Sequence, residues 1–337
     1  MAEVSVITSA RNEGGFLLQS METLRRQSLR DWEWVVVDDG STDSTWGILS
    51  SAAKEDQRIR PIRNLNSQGL SRALNMAVSK SRGRYIARLD ADDFCHPSRL
   101  TKQVEVLHEN PHIGLVASDN HVVDEGGRLL ETWRFMHTPE EIYYTLNFHN
   151  CICHSSVMFR RELFDRVGGY REDLELAQDY ELWLKMSKQC AMYKIPEALV
   201  SWRKRPNGAS IAKRTSQSET AGMVALENLR NLIGEDFPSH YLKVVLGRHF
   251  CMDDDDVKGF FRWLSKIHRA LEQNAPTGVD REKLRQRCKQ TVEVISLAVM
   301  WKRGPLGSLS AAALAMVRPR IIKGLWNQLR RGRWRVD

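Results

Sequence analysis

Short apolar runs that stop abruptly at acids set the pattern of the first hundred residues. Val4–Thr8, Glu33–Val37, Ile59–Arg63 and Tyr85–Leu89 read as strands, and the near-continuous apolar character of the second and fourth fits strands buried on both faces. Helical spacing fills the intervals. Gly14–Gln27 carries Phe16, Leu17, Met21 and Leu24 along one side, and Gly69–Ser79 carries Leu70, Leu74 and Val78. Ser41-Thr42-Asp43-Ser44 supplies capping chemistry for a helix running to about Lys54, and Pro97 opens one running to His108. Gly114–Ala117 and His121–Val123 read as short strands before a turn at Glu125-Gly126-Gly127. The alternation predicts an α/β fold with a mostly parallel sheet flanked by helices.

Between Pro139 and Arg203 the pattern is mixed, with a helix at Glu140–Asn147, a strand at Ser156–Phe159 and a helix at Asp179–Lys188. From Lys213 it is almost wholly helical, broken at Phe237-Pro238, Asp253–Asp256, Asn274–Gly278 and Gly304-Pro305. The organisation expected is a catalytic domain over residues 1–210 and a helical C-terminal extension over 211–337. A basic amphipathic tail begins at about residue 301. Its longest uncharged run, Gly304–Val317, is too short and too rich in Gly, Pro and Ser to span a bilayer, which takes about 20 apolar residues. Ile321, Ile322, Leu325, Trp326 and Leu329 fall at helical spacing among basic residues, as in an interfacial helix; a helix packed on its own domain has the same pattern.

Charge sharpens this picture. The net +8 of the 337 residues resides in the tail, where residues 301–337 hold nine Lys/Arg and one acid; residues 1–300 hold 41 of each sign. A nucleic-acid protein spreads positive charge over a folded face. Charge confined to one end favours an anionic membrane surface and no nucleic-acid partner. Six scattered cysteines and a start at Met-Ala-Glu without a signal-like segment lead us to expect a cytoplasmic chain, which the basic tail would hold peripherally at the inner face of the plasma membrane.

Two acid clusters carry the candidate chemistry. Asp38-Asp39-Gly40-Ser41 and Asp90-Ala91-Asp92-Asp93 each follow a buried strand, at the sheet edge where open α/β folds bind ligands. Two carboxylates one residue apart can split two duties, a hydrogen bond to a ribose and coordination of Mg²⁺ or Mn²⁺ bridging two phosphates. A lone acid-x-acid triplet is a solvated loop more often than a site; the strand before it and the second cluster upstream reverse that reading. Thr8 to Glu13, with Arg11, ends the first strand at the same edge and can contact a nucleotide. It is neither a dinucleotide fingerprint nor a phosphate-cradling Gly-Lys-Ser/Thr loop, which disfavours hydride transfer and ATP hydrolysis. His149-Asn150-Cys151-Ile152-Cys153-His154 lacks zinc-finger spacing, and Asp253–Asp256 reads as the acidic start of a helix.

Four segments in order resemble the inverting glycosyltransferases of family 2, with the nucleotide-sugar-binding GT-A fold. They are Val6-Ile7-Thr8-Ser9-Ala10-Arg11-Asn12-Glu13, Val35-Val36-Val37-Asp38-Asp39-Gly40-Ser41-Thr42-Asp43, Asn66-Ser67-Gln68-Gly69-Leu70-Ser71-Arg72-Ala73-Leu74-Asn75, and Tyr85-Ile86-Ala87-Arg88-Leu89-Asp90-Ala91-Asp92-Asp93. The resemblance spans roughly residues 3–210. It implies that Asp39 binds the base, Asp90 the ribose side and Asp92 the metal, with Gly69 and Arg72 flanking the nucleotide.

On the acceptor side the resemblance places His154 beneath the acceptor pocket and makes Asp179 the general base. Gln178 stands where relatives usually have Glu, which bears on the tuning of Asp179; a helix N-cap is the plain alternative for Asp179. Arg205 stands where many relatives have a His, and Arg203 or Arg205 is left to bind phosphate. The Gln-x-x-Arg-Trp pattern of processive synthases is absent. The resemblance therefore implies a metal-dependent hexosyltransferase-type enzyme. It would move one sugar, or a few, from a nucleotide diphosphate sugar (a UDP-sugar first) to an acceptor hydroxyl. A lipid-linked saccharide in surface polysaccharide or glycolipid assembly is the acceptor expected. The competing readings are an inactive sugar-nucleotide-binding scaffold subunit and a sugar nucleotidyltransferase; the latter should carry a glycine-rich N-terminal loop that this chain lacks.

Overall fold

The computed structural model describes residues 2–134, 136–206, 208, 213–246 and 252–303. The expected basic tail from Gly304 onward lies outside them. Two compact units divide the chain, Met1–Val224 with Ala275–Asp280 and Ala225–Asn274 with Arg281–Asp337.

The first unit opens with the anticipated alternation: β1 (Val4–Ala10), α1 (Leu17–Arg25), β2 (Trp32–Asp39), α2 (Thr45–Glu55), β3 (Ile59–Asn64), α3 (Leu70–Lys80) and β4 (Tyr85–Arg88). These strands pair in parallel in the order β3-β2-β1-β4, and every residue of β2 and β4 is buried. Then come β5 (Phe94–Cys95), α4 (Arg99–Glu109), β6 (Ile113–Val123), β7 (Leu129–Trp133), α5 (Pro139–Leu146), a 3₁₀ turn at His154–Ser156, β8 (Met158–Arg160), α6 (Arg161–Val167), α7 (Gln178–Ser187) and β9 (Ala191–Arg203). Among the described residues the sheet continues as β4-β8-β6-β9-β5, with β7 on β6. The β6–β9 pairing is parallel, and the other pairings of this half are antiparallel. The fold is the expected GT-A type of α/β sheet, flanked by helices.

Local departures have physical causes. The two short strands expected at 114–117 and 121–123 form one strand, β6, because the polar stretch Ser118-Asp119-Asn120 is buried. Asp119 there pairs with Lys194 of β9 at 3.1 Å and with His137 at 3.0 Å. Helix α1 starts at Leu17, not Gly14: the Gly14 N–H is held by Asp43 Oδ2 at 3.0 Å, and a Cβ at Gly14 would lie 2.3 Å from Ser44 Oγ. The acceptor at the start of α2 is Asp43, taking the Thr45 N–H at 2.9 Å; Ser41 Oγ instead takes the Asn12 N–H at 2.9 Å. Strands β5, β7 and β9 and helix α6 go beyond the elements read from the sequence.

In the second unit, α8 (Arg214–Ile233), whose first half belongs to the first unit, is followed by α9 (Ser239–Val245), α10 (Asp254–Asn274) and α11 (Arg281–Arg303). Helix α10 buries Phe260, Leu264, Ile267, His268 and Leu271, a stripe at helical spacing, and Glu272 pairs with Arg285 of α11 at 3.0 Å. Among the described residues no helix is long and apolar enough to cross a membrane.

Candidate active site

Parallel pairing brings the acid clusters to one edge. Ala10 pairs with Asp38, Asp39 with Asn64 and Ile7 with Arg88, so the chain leaves β1, β2, β3 and β4 side by side. The loops 11–16, 40–44, 65–69 and 89–93 therefore meet where the strands end.

Asp39 organises one of them. Its Oδ1 accepts from Asn64 Nδ2 and the Gln68 N–H, both at 2.8 Å, and its Oδ2 from Ser67 Oγ at 2.7 Å and the Gly69 N–H at 3.0 Å. Burial pushes this carboxyl up, but the four donors outweigh it and hold it below the usual carboxylate value. Gly69 then starts α3 at φ +91°, a conformation glycine adopts without penalty. Gly40, at φ +75°, lies so close to the same loop that a Cβ would meet the Ser67 N at 2.7 Å. Thus the residue assigned to the base also fastens the loop that would flank the nucleotide. Arg72, one turn into α3, is half exposed and pairs with Glu172 at 3.2 Å. Arg11 is exposed at the end of β1.

The second cluster is fixed by guanidiniums. Buried Arg88 pairs with Asp90 through Nη2 and Oδ1. Asp90 Oδ2 accepts from Ser155 Oγ at 2.8 Å. Burial would raise the Asp90 carboxyl, but the Arg88 charge and the Ser155 hydroxyl hold it low. Asp92 is different: burial first, and the Asp90 charge next, push it up to about 6 against the pull of Arg205. Asp93, fully buried, is raised well above the usual range by burial and by both neighbouring aspartates; its Oδ1 takes the Arg203 N–H at 2.9 Å.

Beyond them lies the acceptor-side segment. His154 Nε2 meets the Tyr170 hydroxyl at 2.9 Å, and burial, reinforced by the Arg88 charge, lowers it to about 3, so it is neutral at physiological pH. Asp179 lies in the first turn of α7, and Ala177, at φ +57°, turns the chain into that helix. Its Oδ2 accepts from Asn150 Nδ2 at 2.9 Å. Burial raises the Asp179 carboxyl, the Tyr180 N–H and Asn150 oppose, and the Asp90 charge adds to the rise. That last effect places Asp179 within electrostatic reach of the acid loop.

Two anticipated contacts take other employment. The Thr8 hydroxyl is buried, donating to the Leu89 carbonyl at 2.7 Å and accepting from Trp34 Nε1 at 2.8 Å, which takes it out of the sheet-edge site. Arg203, 2 % exposed, spends its guanidinium on the Asp92 carbonyl (2.8 Å), the Glu125 carbonyl and Gln19 Oε1 (2.7 Å), between the rings of Phe16 and Phe94. It is a hub under the acid loop, not a free phosphate ligand. Arg205 remains at the site, 2.8 Å from Asp92 Oδ2 and doubly bonded to Glu13. The residues not anticipated are Glu13, Arg88, Asn150 and Ser155. Arg88 carried a signal, a charge inside an apolar strand; Asn150 and Ser155 lie in segments read as structural or acceptor-side, without roles of their own.

Among the described residues no group of three His, Cys, Asp or Glu side chains can hold a metal alone. Asp92, a partly buried carboxylate at the sheet edge, is the residue that would hold Mg²⁺ or Mn²⁺, and a bound donor would have to supply further oxygen ligands.

Comparison with known proteins agrees with the fold and the motifs. The sequence model of glycosyl transferase family 2 matches residues 5–168. An uncharacterized glycosyltransferase of Haemophilus influenzae is 31% identical over 245 residues, covering 69% of this chain and 76% of its own. The O-antigen biosynthesis glycosyltransferase WbnJ of Escherichia coli is 27% identical over 210 residues, 59% of this chain and 79% of its own. In structure, TarS of S. aureus in complex with UDP-GlcNAc superposes with a TM-score of 0.55 at 21% identity, over 81% of this chain and 80% of that one. The mannosyltransferase PcManGT of Pyrobaculum calidifontis, in complex with GDP-Man and Mn²⁺, gives 0.51 at 19% identity, over 94% and 81%. The ordered motifs, the sheet and these similarities together make the chain a member of glycosyltransferase family 2.

Proposed function

We propose that this chain is a metal-dependent inverting glycosyltransferase. It transfers a single sugar from a UDP-sugar to an acceptor hydroxyl, and a lipid-linked saccharide in surface polysaccharide or glycolipid assembly is the acceptor class favoured. The catalytic machinery lies within residues 1–210, with 211–337 as a helical extension. The observation that carries the reading is the position of Asp179: a raised carboxyl, held by Asn150, within electrostatic reach of the Asp90–Asp93 loop. A carboxylate with a raised pKa is a stronger base toward a hydroxyl proton than an exposed one.

The roles follow. Asp39 and Gly69 frame the base, with Arg11 and Arg72 beside the nucleotide. Asp90, fixed by Arg88 and Ser155, faces the ribose. Asp92 holds Mn²⁺ or Mg²⁺, which when bound supplies positive charge for the departing diphosphate. Asp179 takes the acceptor proton as the hydroxyl attacks opposite the leaving group, and neutral His154 with Tyr170 lines the acceptor side. A nucleotide diphosphate sugar as donor is supported by the ligands named in the TarS and PcManGT complexes, a UDP-sugar by the TarS complex alone, and a role in surface polysaccharide assembly by the name of WbnJ. The sequence of the basic tail supports attachment to an anionic membrane surface from the cytoplasmic side.

The test is calorimetric titration with UDP, GDP and dTDP, each with and without Mn²⁺. Metal-dependent binding of UDP supports the reading. Binding of GDP or dTDP alone keeps the enzyme but replaces the donor, and no binding of any of the three overturns the donor site.

A further inference from the structure

Arg205 is anchored on three sides. Its Nε lies 2.8 Å from Asp92 Oδ2, its Nη1 2.9 Å from Glu13 Oε2 and its Nη2 2.8 Å from Glu13 Oε1, and its guanidinium covers the Phe16 ring at 4.8 Å. Two of the five N–H donors of the arginine are committed to Glu13, the Nε faces Asp92 as an ion pair, and one N–H on each terminal nitrogen remains. The side chain is 22 % exposed, so those two donors are not sealed off.

This arrangement bears on how a metal enters. A divalent ion bound to Asp92 would meet a full positive charge paired with the same carboxylate, in a partly buried place where repulsion is poorly screened. The charge of Asp92 is already in use. A nucleoside diphosphate changes the balance. It brings at least two negative charges, gives the spare N–H donors of Arg205 oxygens to bind, and offers the ion oxygens to complete its shell.

We propose that Arg205 is the resident cation of the donor site, occupying Asp92 until a diphosphate arrives, so that the divalent metal binds together with the diphosphate and not before it. The proposal rests on the reading of Asp92 as the donor-site carboxylate. Metal and nucleotide are then reciprocally linked, each strengthening the other by the same factor.

The test is a Mn²⁺ titration followed by electron paramagnetic resonance, on the full chain, without nucleotide and with saturating UDP or GDP. Wild type should bind Mn²⁺ about a hundredfold more tightly with nucleotide, near the upper end of ordinary coupling. In Arg205→Gln, Mn²⁺ alone should bind about tenfold more tightly than in wild type, and the coupling should shrink accordingly. Adding Asp92→Asn should abolish that gain. If Arg205→Gln binds Mn²⁺ alone no better than wild type while nucleotide still binds, the proposal is wrong and the donor site stands. If wild type binds neither nucleotide under any condition, the donor-site reading fails and takes the proposal with it. Glu13→Gln decides the case should Arg205→Gln not fold. With its second anchor weakened, Arg205 bears more fully on Asp92, and Mn²⁺ alone should bind more weakly than in wild type; equal or tighter binding overturns the proposal.

Discussion

Asn150 and Asp179, 29 positions apart in the chain, meet through a 2.9 Å hydrogen bond from the Asn150 amide to the carboxylate at the start of α7. The bond favours the charged form of Asp179 against the burial that raises its pKa. In Asn150→Ala the pKa of Asp179 should rise further, so the acidic limb of the kcat–pH profile should move to higher pH. Turnover at neutral pH should fall about tenfold, as expected for one hydrogen bond to a charged group. A limb that stays in place would assign it to another group.

Asp179→Asn removes the base without changing shape. Turnover should fall roughly 10²–10⁴-fold, the usual contribution of a general base, while nucleotide affinity measured by calorimetry stays within a factor of about two. Near-normal turnover would move the role elsewhere, to Glu181 first, although Glu181 is paired with Lys185 at 3.2 Å.

Arg203 should matter to folding before it matters to catalysis. Arg203→Ala would leave the Asp92 and Glu125 carbonyls and Gln19 Oε1 without their donor. Each such loss costs about 1–3 kcal/mol, so the urea midpoint should drop by the equivalent of about 3 kcal/mol or more. Arg203→Lys keeps the charge but not the fork, and should recover only part of the loss. A midpoint unchanged in Arg203→Ala would show that the hub carries no stability.

His154 gives a pH signature with a definite sign. Its folded-state value, about 3, lies below the ordinary 6.5, so between these values the unfolded chain binds more protons. This group therefore contributes stability above pH 6.5 that is lost as the pH falls toward 3. Relative to His154→Gln, the wild type should lose stability steadily between pH 7 and pH 4 in urea denaturation. Parallel curves for the two proteins would mean that His154 is solvated.

The parts of the fold that were legible in the sequence are those in which local pattern and burial agree. The apolar runs at Trp34–Val37 and Tyr85–Leu89 announce strands, and the acids after them announce the sheet edge. Legibility failed where tertiary pairing overrode local polarity. Ser118-Asp119-Asn120 looks like a break and is the middle of a buried strand, because Lys194 and His137 satisfy Asp119. The same holds at the site. Asp39, Asp90, Asp92 and Asp179 stand out as acids at element ends. That Arg203 faces inward and Arg205 outward depends on which neighbour each strand position meets, and that information lies in residues 13, 19 and 125.

The fastening of Asp92 by Arg203 and Arg205 also sets when the site can exist. Arg205 reaches Glu13 across 192 positions, and Arg203 reaches Gln19 across 184. As the chain leaves the ribosome, β1 to β4 can pair within the first ninety residues, and Arg88 can already hold Asp90, but Asp92 and Asp93 then lack the arginines that fasten them. Those arginines arrive more than a hundred residues later, when the end of β9 emerges and closes the longest loop of the catalytic unit. A nascent chain halted anywhere before Arg203 therefore presents the acid motif without the two arginines that fasten Asp92.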